Sequence, residues 1–192
     1  EQNAMLALWP DVAGRRALDL ACGTGRYARL LAKSGAGEVF AADFSAAMLR
    51  QVSAARPVRA NMMQLPFIDD AFDVVISGLA LGHAAELRGW MSEAGRVLKR
   101  GGVLLYSDFH PEAARAGLTR SFKDESNRSF TLPHCSYSLD DQCGAIAAAK
   151  LTLEAVHELR VGVDCREAFP GSEAFYRQWH GLPLVLIVRA RK

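Results

Sequence analysis

What the 192-residue chain lacks narrows its function before any motif is read. Cysteine is scarce. Its four residues, at positions 22, 135, 143 and 165, form no C-x-x-C pair and meet no histidine at zinc-finger spacing, so neither a metal site nor a disulfide framework is indicated. Free thiols in a reducing cytosol, and hence a cytoplasmic protein, are the expectation. No charge of one sign dominates, because 23 Lys and Arg against 21 Asp and Glu leave a formal +2. That balance offers no electrostatic footprint for a nucleic-acid backbone or an anionic membrane. The longest aliphatic run, residues 184–188, falls far short of a bilayer span, and no charged-then-apolar segment opens the chain. Internal repeats, low-complexity tracts and Pro/Gly/Ser linkers are also missing, which predicts one domain over residues 1–192.

What is present is a rhythm of short apolar runs and amphipathic stretches, the pattern of βαβ units. Residues 17–20, 39–42, 57–60, 72–77 and 103–106 read as five strands, and residues 153–161 and 184–190 as two more. Helices are expected after the glycines at 23 and 25, after Ser45, from about Ala85, after Ser138 and around residues 173–179. The predicted fold is α/β: a doubly wound, Rossmann-like sheet of seven strands, mostly parallel with the last antiparallel, and helices on both faces. Residues 109–137 break the rhythm with polar turns and a possible hairpin, 118–123 against 129–134.

The densest chemistry lies in Leu18-Asp19-Leu20-Ala21-Cys22-Gly23-Thr24-Gly25-Arg26-Tyr27-Ala28. Glycines at a strand-to-helix turn let backbone approach a ligand, and the helix behind them offers unpaired N–H groups. Gly23 to Ala28 matches the dinucleotide pattern G-x-G-x-x-G/A, with Asp43 eighteen residues beyond Gly25 to hold a ribose. Asp19 argues for another ligand: a carboxylate inside the strand repels a pyrophosphate and favours an ammonium. An amino-acid end, a ribose end and no phosphate describe S-adenosylmethionine.

On these residues the sequence resembles the class I S-adenosylmethionine-dependent methyltransferases, in particular their small-molecule group. Asp19 to Gly25 is similar to the family's D/E-x-G-x-G-x-G turn, with Ala21 in place of the first glycine. Asn61-Met62-Met63-Gln64-Leu65-Pro66-Phe67 resembles D-A-E-x-L-P-F, and Glu93 to Gly102 resembles E-x-x-R-V-L-K-P-G-G with Arg100 in place of Pro. The resemblance implies a cofactor site of Asp19, Ala21, Gly23, Gly25, Asp43, Phe44, Met48, Asn61, Met62, Met63 and Ser77. Within it Asp43 accepts the ribose hydroxyls, Phe44 lies against the adenosine and Asn61 meets the adenine amino group. The Glu93 segment is expected to be scaffold. The resemblance also implies a longer N-terminal helical lid, of which residues 1–14 supply little; the chain opens without Met, and a trimmed segment is expected.

His83 and His110 follow the fourth and fifth strands on the rim where ligands of parallel sheets bind, which makes both candidate general bases. Residues 109–137 are expected to wall the pocket for a small-molecule methyl acceptor, with Phe109, Phe122, Phe130 and Phe175 as apolar lining and Trp179 near a second wall. His134 and Tyr137 read as packing residues. Two rival readings stand beside this one: an NAD-dependent reductase, which lacks a Tyr-x-x-x-Lys pair, and a regulatory protein that keeps the cofactor pocket without turnover.

Overall fold

A computed structural model gives the architecture; it describes residues 1–124, 126, 128–166 and 171–192, the side chains of Phe122 and Lys123 excepted. The order of elements is α1 (Gln2–Ala7), β1 (Arg16–Leu20), α2 (Arg26–Lys33), β2 (Glu38–Asp43), α3 (Ala46–Leu49), β3 (Arg56–Arg59), β4 (Phe72–Gly78), α4 (Leu87–Val97), β5 (Leu98–Phe109), α5 (Pro111–Arg115), β6 (Ser121–Lys123), β7 (Ser129–Thr131), α6 (Leu139–Ala148), β8 (Thr152–Arg160), α7 (Ser172–Trp179) and β9 (Pro183–Arg191). Seven strands form one sheet in the order β3-β2-β1-β4-β5-β9-β8, and β6 and β7 pair as a separate hairpin. The first five of that order run parallel, while β9 is antiparallel to both β5 and β8.

The inner strands read as unbroken apolar runs because both faces of the sheet are covered. On one face Leu18, Leu20, Phe40, Phe72 and Tyr106 pack with Trp90 and Met91 of α4 and Ile146 of α6. On the other, Ala17, Val39, Ala41, Val74, Ile76 and Leu105 pack with Met5 of α1, Tyr27 and Leu31 of α2 and Leu49 of α3. Phe40, Phe67 and Phe72 meet edge to face with centroids 4.9 to 5.6 Å apart, a favoured aromatic geometry. Ser138 caps α6 in a reciprocal capping box with Asp141. No described helix is long and apolar enough to cross a membrane.

The seven-stranded sheet and its antiparallel last strand agree with the sequence pattern. Two helices do not appear in it. α1 is anchored by the buried Met5, and α5 begins at Pro111 directly behind His110. Five- and six-residue helices carry too few turns for their apolar spacing to stand out. Strand β1 and strand β4 lie side by side where the order reverses, and their carboxyl ends open the crevice in which ligands of such sheets bind.

Candidate cofactor and acceptor site

A cleft of about 570 Å³ opens at that crevice, a volume in the range of small-molecule sites. Its first wall is the turn after β1. Three residues in five there have left-handed backbone: Ala21 (φ 55), Gly23 (φ 54) and Gly25 (φ 79). Glycine adopts this region freely and alanine does so at a cost, so Ala21 is a strained position lining the cleft. Gly25 lies outside the lining. It caps α2, and a side chain there would start 3.2 Å from Val52.

Asp19 is also outside the lining, contrary to its expected role against an ammonium. Its side chain is buried and Oδ2 accepts from the Ala28 N–H at 2.7 Å, in the first turn of α2. It therefore occupies one of the donors that the helix N-terminus would offer to an anion. Burial pushes its carboxyl up to about 7, only partly offset by the Ala28 bond and by Arg26.

Asp43 closes β2 and sits in the cleft. Its Oδ2 accepts from the Gly23 N–H and its Oδ1 from the Ser45 N–H, both at 2.8 Å, so one carboxylate ties the two strand-end turns together. Each oxygen keeps a lone pair for a ligand. Phe44 beside it is 69% exposed with Arg59 over its ring, an apolar face open to the cleft.

The third wall follows β3. Asn61 and Met62 line the cleft, and the Asn61 side chain accepts from the Met63 N–H at 3.0 Å in a tight turn. Met63 points away. It packs on the core, and its methyl reaches so close to Gly89 that a β-carbon there would stand 2.8 Å away. The segment is held by a clamp that the sequence presents as scaffold. Glu93 accepts from the Leu65 N–H and from Arg96, while Arg96 donates to the Leu65 and Phe67 carbonyls. Those bonds hold the carboxyl of Glu93 below its ordinary value.

The fourth wall is the end of β4 and the turn behind it. Ser77 is expected at the cofactor, but its buried hydroxyl donates to the Leu20 carbonyl at 2.9 Å and straps β4 to β1. Gly78 lines the cleft with no room for a side chain, since a β-carbon would overlap the Tyr27 ring at 2.2 Å. Leu79 and Ala80 follow, then His83 on the rim. Burial, and Arg120 nearby, lower the pKa of His83 and favour a neutral imidazole.

His110 lies elsewhere. Its side chain is buried, Nδ1 accepts from the Glu112 N–H to cap α5, and Nε2 lies 3.4 Å from Glu158 of β8. The phenylalanines do not gather at the cleft either. Among the described side chains Phe109 packs edge-on against His134, Phe130 is 43% exposed and Phe175 belongs to α7; the Phe122 side chain lies outside the described residues. What does approach the cleft from residues 109–137 is Arg120, before the hairpin, through Nη1 to the Leu79 carbonyl at 3.1 Å, and the stretch after it, through Cys135 N–H to the Gly82 carbonyl at 2.8 Å and the Tyr137 hydroxyl to the Ala84 carbonyl at 2.7 Å. Ala42, Leu79 and Ala80 also line the cleft without having been singled out from sequence as site residues, because apolar residues at strand ends carry no mark beyond that position.

Residues 18–106 match the family model described as a methyltransferase domain. A demethylmenaquinone methyltransferase of Clavibacter sepedonicus is 44% identical over 106 residues, 51% of this chain and 42% of that protein. A 2-phytyl-1,4-naphtoquinone methyltransferase of Nostoc punctiforme is 34% identical over 150 residues, 68% of this chain and 64% of that protein. The chain thus spans less than two thirds of either relative. A crystal structure of an S-adenosylmethionine-dependent methyltransferase from Mesorhizobium loti superposes with a TM-score of 0.80 at 23% identity, covering 99% of this chain and 96% of that one, a likeness of fold.

Proposed function

Because the chain belongs, through residues 18–106, to the S-adenosylmethionine-dependent methyltransferase family, we propose that it transfers a methyl group to a small-molecule acceptor from a cofactor held in the cleft. The observation that carries the reading is Asp43, a carboxylate anchored by two backbone N–H groups with its remaining lone pairs in a cleft floored by the Gly23 turn. Asp43 receives the ribose hydroxyls, Phe44 and Met62 cover the adenine, and Asn61 meets its edge. When bound, S-adenosylmethionine supplies a methyl on a positively charged sulfur, and the new bond to the acceptor forms as the carbon–sulfur bond breaks to leave the neutral thioether. The protein's part is alignment, which in well-positioned systems contributes about 7–11 kcal/mol. Met48, Met62, Leu65, Leu79 and Ala80 give an apolar surround that favours the less charged transition state. His83, a neutral imidazole on the rim, takes the proton of an acceptor that must lose one. The acceptor enters beside residues 79–84, against the stretch from 132 to 137. A cytosolic setting fits the four free thiols.

The NAD reading is weakened by Asp19, a carboxylate that already takes one of the helix donors a pyrophosphate would use. Calorimetric titration of the purified chain tests the proposal: S-adenosylhomocysteine binds and NADH does not. Binding of NADH alone would overturn it. Methyl transfer to an acceptor panel separates turnover from the regulatory reading, which predicts binding without product.

A further inference from the structure

Behind the rim of the cleft, residues from three separate stretches meet in a way the cofactor does not require. Arg120, just before the hairpin, is half-buried, and its Nη1 donates to the carbonyl of the cleft-lining Leu79 at 3.1 Å. The same nitrogen lies 3.5 Å from Nε2 of His83 and 3.5 Å from Nδ1 of His134. His134 enters because residue 82 is glycine: a β-carbon there would stand 1.8 Å from the His134 ring. On its far side Nε2 of His134 is 3.8 Å from Oδ2 of Asp108, and both Nε2 and the Asp108 Oδ1 are buried without a hydrogen-bond partner in the structure.

A strap to Leu79 needs only one neutral donor. Here the donor is a guanidinium whose Nε and Nη2 donate to nothing, and which has no carboxylate within 4 Å, among the described residues. Two imidazoles stand beside it, and burial, with the charge of Arg120 adding to it, pushes His134 down to about 4. Asp108 feels the charge of Arg120, but burial outweighs it and drives the carboxyl up to about 7, so it is a poor counterion. With Nη1 held on Leu79, the remaining edge of the guanidinium is left for an anion, and its planar fork suits two oxygens of one group.

The geometry points to Arg120, framed by His83 and His134, as a recognition site for a carboxylate on the methyl acceptor, placed beside residues 79–83 of the cleft. The assignment of this anion to the acceptor rests on the methyl-transfer reading; the anion site itself does not. Arg120 acts as a specificity determinant, and His134 with Asp108 holds the guanidinium's surroundings in place.

Benzoate and its neutral isostere benzamide, titrated into the wild-type chain with and without saturating S-adenosylhomocysteine, test this. Benzoate should bind about tenfold or more tightly than benzamide, the scale of a charge-assisted hydrogen bond. Arg120→Gln should abolish that preference and Arg120→Lys should keep part of it, while S-adenosylhomocysteine affinity in both variants stays within about twofold, which also shows that they fold. Equal binding of the two probes, no benzoate binding, or a preference retained in Arg120→Gln overturns the site. Failure of S-adenosylhomocysteine to bind overturns the methyl-transfer reading instead, and the titration without it still decides for or against Arg120.

Discussion

Single residues at this site serve two ends at once. Asp43 is both the expected ribose acceptor and the tie between the Gly23 and Ser45 turns. Asp43→Ala should weaken S-adenosylhomocysteine binding by about 1.5–3 kcal/mol, as for other bonds to a charged acceptor, in a chain that still folds; unchanged affinity by calorimetry would remove Asp43 from the site. Ala21 holds a conformation that costs an L-residue on the order of 1 kcal/mol. Ala21→Gly trades that strain against backbone entropy and should be neutral or stabilising by up to about 1 kcal/mol, whereas Ala21→Val should destabilise by more than that in urea unfolding. Asp19 adds a pH dependence. Its folded carboxyl holds a proton up to about pH 7, whereas the unfolded one releases it near 3.8. The folded state therefore binds the extra proton between those values, and the stability it contributes, complete below about pH 4, is lost as pH rises through about 7. Asp19→Asn keeps an acceptor for the Ala28 N–H without the titration, so its stability relative to wild type should rise from pH 5 to pH 8; a constant difference would contradict the buried proton.

Among elements, short helices and caps account for most of what the sequence concealed. The glycine turn, Asp43 and the Leu65-Pro66-Phe67 segment are legible because their spacing along the chain is itself the constraint. His110 is not, since a histidine after a strand reads the same whether it faces a ligand or caps a helix, and only the position of Glu112 N–H and Glu158 decides. His110→Ala should cost about 1 kcal/mol of stability through α5 and leave S-adenosylhomocysteine affinity within about 0.5 kcal/mol, with methyl transfer retained. Loss of transfer at unchanged affinity would return His110 to the reaction. Met63 and Ser77 are invisible for a similar reason: alternation along a strand or a tight turn decides which neighbour faces the cleft, and a shift of one residue exchanges them.

Across the whole molecule, the half that forms the cleft and the half beyond β5 differ in how they are built. The parallel strands that carry Gly23, Asp43 and Gly78 are covered on both faces, whereas β8 is largely exposed and the hairpin β6–β7 stands apart from the main sheet. Amide exchange should accordingly be slowest in β1, β4 and β5 and fastest in β8 and the hairpin, and S-adenosylhomocysteine should slow it in residues 20–23, 43–45 and 78–83; uniform exchange would refute that division. The composition of residues 109–137 shows where the βα rhythm breaks but not what that stretch touches, because the approach of His134 depends on the missing side chain of Gly82, far away in sequence. The position of β9 reaches furthest. Although it follows every other described strand in the chain, it lies between β5 and β8, paired to both. Until residues 183–191 have been synthesised, β5 therefore presents an apolar, unpaired edge to the cell and β8 has no neighbour in the sheet. A nascent chain in that state is open to pairing with another copy, so folding on the ribosome favours whatever shields the β5 edge until the final strand is delivered.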